Sequence, residues 1–111
     1  LGLPLLTMPE LVSNDGEIAF RAALWFWMTP QAPKPSCHDV MIGAWTPSSS
    51  DAQAGRQPGF GMTVNVINGG VECNQPTPPQ MADRLAFYDR FTKLLGVASG
   101  ANLTCDAMKS Y

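Results

Sequence analysis

Charge is scarce in these 111 residues: only 14% are Asp, Glu, Lys or Arg, and the formal net charge is -2. A field that weak steers neither nucleic acid nor acidic lipid to the surface, so the expected partner is neutral or nearly so, with no nucleic acid and no membrane involved. Long hydrophobic runs are missing too. Leu1 to Leu6 is short and broken by Pro4, far from the roughly 20 apolar residues of a membrane helix, and a soluble chain is expected. Histidine is almost absent. His38 is the single one, next to Asp39 and Cys37, and a metal site needs ligands brought together across a fold, so no metal or cofactor is expected and His38 reads as a hydrogen-bonding residue at a helix start. The chain begins at Leu1 without the basic start and long apolar core of a signal peptide, which suggests a mature, processed or incompletely observed chain.

What is present is ordinary for a globular domain. Hydrophobic residues make up 45%, enough for one domain of modest size and against disorder. Three cysteines, Cys37, Cys73 and Cys105, suggest one disulfide and one free thiol, although three reduced cysteines in a cytosolic chain fit the count equally.

Local signals divide the chain into short helices joined by proline-rich connections. Thr7-Met8-Pro9-Glu10 reads as a capping box opening a short helix. From Gly16 to Met28, Phe20, Leu24, Trp27 and Met28 recur at spacings of three and four, and Thr29-Pro30 ends the pattern. Because Ala22 to Met28 is apolar on nearly every face, that helix is expected in the core, with Trp25, Trp27 and Trp45 as packing residues rather than sugar-stacking ones. Gln31 to Pro35 is a loop, and Ser36 with Asp39 caps a helix running to Trp45. Thr46 to Pro58 reads as a surface connection with a turn of helix at Asp51 to Ala54. Thr63-Val64-Asn65-Val66 alternates as a strand would, yet Asn68-Gly69-Gly70 could equally be the left-handed stop of a helix starting near Gly59. After three prolines between Asn74 and Pro79, Met81 to Leu95 reads as an amphipathic helix with Leu85, Tyr88, Phe91 and Leu95 on one stripe and Gly96 closing it.

Several strings occur together in a recognisable order. They are Trp25-Phe26-Trp27-Met28-Thr29-Pro30-Gln31; Lys34-Pro35-Ser36 with His38-Asp39-Val40; Trp45-Thr46-Pro47-Ser48; Gly59-Phe60-Gly61 through Asn68-Gly69-Gly70-Val71-Glu72-Cys73; Ala82-Asp83-Arg84; Phe87-Tyr88; and Leu95-Gly96-Val97. The chain resembles the C-terminal half of the family 19 glycoside hydrolases, the plant-type endochitinases. The resemblance implies a mainly α, lysozyme-like, two-lobed fold with a chitin-binding cleft, of which residues 1–111 supply the C-terminal part of a single catalytic domain. It also favours helix for the segment after Gly59 and pairs Cys73 with Cys105, leaving Cys37 free.

The implied reaction is hydrolysis of β-1,4 links between N-acetylglucosamine units with inversion. That chemistry takes one protonated and one ionised carboxyl group. Family members carry both as glutamates in the N-terminal half, so no catalytic residue is assigned among Glu10, Glu17 and Glu72. The supporting shell does carry over by resemblance. Glu72 and Arg84 match an ionic network that sets the catalytic acid, Asn68 matches a sugar-facing amide, and Ile67 and Lys34 match cleft-lining positions. Without the resemblance, Glu72 and Arg84 would read as an ordinary ion pair and Asn68 as a helix stop.

Two departures stand out. Asn74 to Gln80 replaces a charged loop, and Phe60 stands where tyrosine is common, without its hydroxyl. Asn102-Leu103-Thr104 satisfies a glycosylation sequon beside Cys105.

The functions that follow are two. One is a secreted or vacuolar endochitinase of plant defence, monomeric when intact, whose partners are chitin oligomers and the N-terminal half of the domain. The other is a chitinase-like carbohydrate-binding, storage or allergenic protein without turnover. The 111 residues alone are not expected to be catalytic or independently stable, because an open apolar face favours association.

Overall fold

The computed structural model describes residues 1–111 as six helices and no sheet. They are α1 (Leu11–Asn14), α2 (Gly16–Met28), α3 (Cys37–Met41), α4 (Ser49–Gln53), α5 (Phe60–Glu72) and α6 (Pro79–Leu95). The mainly α class holds. No helix is long and apolar enough to cross a membrane.

Helix α5 is the axis of the core. Met62, Val64 and Val66 are buried in it together with Cys37 and Val40 of α3, Met81 of α6, and Cys73, Cys105 and Met108. Its β-branched run favours a strand only as an isolated segment. Here burial on several sides selects helix, and the Thr63 hydroxyl is satisfied internally by donating to the Phe60 carbonyl at 2.7 Å. The start of α5 runs against the C-terminal segment so closely that a Cβ on Gly61 would overlap the Thr104 carbonyl. Gly61 N–H donates to the Asn102 carbonyl at 2.9 Å. At the other end, the Cys73–Cys105 disulfide, with Cα atoms 4.9 Å apart, fastens the same segment again. Closing a loop of 32 residues contributes about 3 to 4 kcal/mol by chain entropy. Cys37 is the free, buried thiol.

Several boundaries depart from the sequence reading. Thr7 does not cap a helix: its hydroxyl donates to the Pro4 carbonyl, and α1 starts at Leu11 with no side-chain cap. Helix α3 stops at Met41, not Trp45, because Gly43 takes a left-handed φ of 75° and the Ala44 and Trp45 N–H groups turn back to the Asp39 carbonyl. Its cap is Ser36, whose hydroxyl accepts from Asp39 N–H at 2.9 Å, while the His38 side chain makes no hydrogen bond. On α6 the inward line is Met81, Leu85, Tyr88 and Thr92, so Phe91 and Leu95 face out.

The largest correction concerns α2. Its boundaries match, with the Asp15 carboxylate accepting from the N–H groups of Glu17 and Ile18, but none of its residues is buried. Phe20 is 75% exposed, and Leu24, Trp25 and Met28 are also open, while Trp27 alone of the two helix tryptophans packs on the core, joined there by Trp45. Together with Phe87, Phe91, Leu94 and Leu95 of α6 this leaves extensive apolar surface uncovered. The accessible area, 7030 Å², exceeds the roughly 5900 Å² expected of a compact monomer of this mass. The radius of gyration, 15.0 Å, likewise exceeds about 13 Å.

Candidate functional site

A break inside α5 builds the site. Asn68 leaves helical geometry at φ -146° and ψ 34°, and the helix resumes to Glu72. Asn68 is therefore neither left-handed nor a stop. From the break, its side chain reaches one turn on along the helix, where Nδ2 donates to Glu72 Oε1 at 2.9 Å.

Glu72 is 1% exposed, and a carboxylate that deep needs partners for its charge. Arg84, one turn into α6, supplies them as a fork: Nε lies 3.0 Å from Oε2 and Nη2 lies 3.0 Å from Oε1. The Arg84 guanidinium first, and the Asn68 amide second, hold the Glu72 carboxyl below the usual glutamate range against the opposing effect of burial. The same bonds raise Arg84 further above its ordinary value. Nη1 is absent from these bonds, and the Arg84 side chain is 41% exposed. One end of the pair is thus sealed and the other faces out with a donor to spare.

The exposed end of Arg84 opens on an apolar groove of about 350 Å³ between α2, α5 and α6, walled by Trp27, Phe60, Ile67, Phe87 and Phe91. Phe60 stacks on Tyr88 with ring centroids 4.1 Å apart and planes 13° from parallel. The missing hydroxyl at position 60 therefore leaves an aromatic pair, with Tyr88 keeping its own hydroxyl on the Ser99 carbonyl at 3.0 Å. Lys34 reaches the site from the loop after α2, and its Nζ donates to the Val66 carbonyl at 3.1 Å, just ahead of the break.

Glu72, Arg84 and Asn68 thus form one hydrogen-bonded network. Ile67 adjoins it through the groove, and Lys34 through backbone. Asn102, the sequon asparagine, has its Nδ2 donating to the Pro58 carbonyl at 2.9 Å and its backbone at φ 53°. Sequence reasoning passed over Asn65, buried one turn before the break, and a cluster of Asp51, Arg56 and Tyr111. The signal for the latter was legible in part, since Ser48 and Asp51 have capping-box spacing and do form one. No group of three His, Cys, Asp or Glu is arranged to hold a metal ion.

Known proteins agree with this architecture. Residues 1–105 match the glycoside hydrolase family 19 description, chitinase class I. Endochitinase 1 of Theobroma cacao is 55% identical over all 111 residues, which cover 35% of that protein. Endochitinase B of Nicotiana tabacum is 54% identical, with 34% of its length covered. Chitinase C from Streptomyces griseus HUT6037 superimposes with a TM-score of 0.69 at 33% identity, over 94% of this chain and 36% of that one. The chain spans about a third of the length of these relatives. With nearly every residue matched and identities above one half, the chain belongs to glycoside hydrolase family 19, the class I chitinases.

Proposed function

We propose that residues 1–111 act as the C-terminal part of an inverting endochitinase domain. They form one wall of a cleft for chitin or N-acetylglucosamine oligomers and support a catalytic acid contributed from outside this chain. The Glu72, Arg84 and Asn68 network carries the reading. Glu72 cannot be the protonated acid that inversion requires, because Arg84 keeps it ionised. What it does is hold Arg84 in place with Nη1 outward, where a second carboxyl can be oriented and its proton affinity set.

The rest of the wall fits a neutral amide-bearing sugar. Asn68 commits Nδ2 to Glu72, which leaves Oδ1 to accept from an N-acetyl N–H or a hydroxyl. Ile67, 41% exposed, offers an apolar surface to a methyl group or ring face. Lys34 has spent one of its three protons on Val66 and can give the others to substrate oxygens. The open faces of α2 and α6 are where the remainder of the domain packs. In this reading the intact protein is a secreted or vacuolar monomer that degrades chitin in plant defence.

The test is turnover of an N-acetylglucosamine hexamer by the full-length protein. Glu72→Gln and Arg84→Ala should each lower kcat by about 100-fold with a much smaller change in KM, as loss of positioning does. The first product seen by proton NMR should be the α-anomer. Wild-type turnover in both variants would remove the role given to the pair.

A further inference from the structure

The densest polar contacts outside the Glu72 network surround the last residues of the chain. Asp51 is 7% exposed. Its carboxylate accepts from Ser48 N–H at 3.0 Å, Ser48 Oγ at 2.6 Å, Arg56 Nη1 at 3.0 Å and Tyr111 Oη at 3.0 Å. Arg56 also donates Nε to the Lys109 carbonyl at 3.0 Å and Nη2 to the Ser110 carbonyl at 2.6 Å, and it lies 3.7 Å from the centre of the Tyr111 ring. One guanidinium thus serves a carboxylate, two backbone carbonyls and an aromatic face. A lysine could not make these contacts at once.

The pinned segment presses on α5. Asn65, fully buried, donates Nδ2 to the same Lys109 carbonyl at 3.1 Å. Its Oδ1 has no partner, an arrangement that costs stability where an apolar side chain would not. That oxygen lies against Gly69, where a Cβ would collide with it and would lie 3.4 Å from Ser110 Cβ. Lys109 and Ser110 are therefore wedged between Arg56 and the turn of α5 that holds Asn65 and Gly69. Asn68, where the helix breaks, stands inside that turn.

We propose that the Asp51, Arg56 and Tyr111 clamp is a positioning device for the site. By holding Lys109 and Ser110 against Asn65 and Gly69, it maintains the break at Asn68 and so the aim of Asn68 and Glu72. The catalytic consequence rests on the chitinase reading above, whereas the geometric one does not.

Arg56→Lys is the decisive variant in the full-length protein, because it keeps a cation opposite Asp51 while breaking the three-way fork. Tyr111→Phe removes only the hydroxyl bond to Asp51 and guards against a first variant that does not fold. Two readouts are taken well below each melting temperature: hexamer kinetics, and titration of the Glu72 carboxyl by carbon-13 NMR. Arg56→Lys should lower kcat about tenfold with KM changed about twofold or less, and should move the Glu72 midpoint upward as its hydrogen bonds loosen. Tyr111→Phe should move both the same way by less. A lowered melting temperature with kcat and the Glu72 midpoint unchanged would make the clamp merely structural and overturn the proposal. If the wild-type protein does not turn over the hexamer, the chitinase reading fails by itself. The Glu72 midpoint then decides, an upward shift upholding the clamp's role and an unchanged one refuting it.

Discussion

Two carboxylates, Glu72 and Asp51, are buried and kept ionised by different partners. Glu72 is lowered chiefly by the Arg84 hydrogen bonds. For Asp51 burial pushes upward, yet bonds from Ser48, Arg56 and Tyr111 outweigh it and hold the group down to about 2. In both, the folded-state value lies below the group's own ordinary value. Their stabilisation is therefore complete at neutral pH and is lost as pH falls from about 4 toward each folded value. The melting temperature should stay nearly level down to pH 4 and drop below it, and Asp51→Asn should flatten the part of the drop nearest pH 2. A wild-type melting temperature that is constant from pH 5 to pH 2 would contradict this. The pairing of Glu72 with Arg84 was legible in the sequence, through the family strings that contain both. That Asn68 closes the network was not, because its amide reaches Glu72 only where the helix breaks.

Among the elements, α2 was legible to the residue from its apolar spacing and the Thr29-Pro30 stop, and α6 to within two residues at its start and to the residue at Gly96. Helix α5 was not. Its strand-like alternation, Thr63 to Val66, is overruled by contacts that lie far away in sequence, with Thr104 against Gly61 and Lys109 against Asn65. Gly61→Ala separates local from tertiary preference. Alanine is the better helix former, but its Cβ would overlap the Thr104 carbonyl, so the full-length protein should lose roughly 2 kcal/mol in urea unfolding. Gly70, with nothing within 4 Å of an added Cβ, is the control. Gly70→Ala should gain about 0.5 to 1 kcal/mol. Equal effects at the two positions would mean that close packing of α5 on the C-terminal segment does not govern its conformation.

At the scale of the molecule, the excess area and the uncovered faces of α2 and α6 describe a body with its core gathered around α5 and apolar surface left open on those two helices. Prepared alone, the 111 residues should bind a hydrophobic dye and increase in sedimentation coefficient as concentration rises, as expected of a large exposed patch. A dye-silent monomer at high concentration would contradict the open face. The sequence by itself determined the helical class, the ends of α2, the close of α6, the family and the pairing of Glu72 with Arg84, because capping, periodicity and short motifs are local properties. Only the tertiary structure decided that the apolar helix α2 lies at the surface, that α5 breaks at Asn68, and that Asp51, Arg56 and Tyr111 meet at the end of the chain. Each of these depends on which distant segments come into contact and which remain uncovered. Hydrophobicity alone states that a surface is to be buried, and the fold states what, if anything, in this chain buries it.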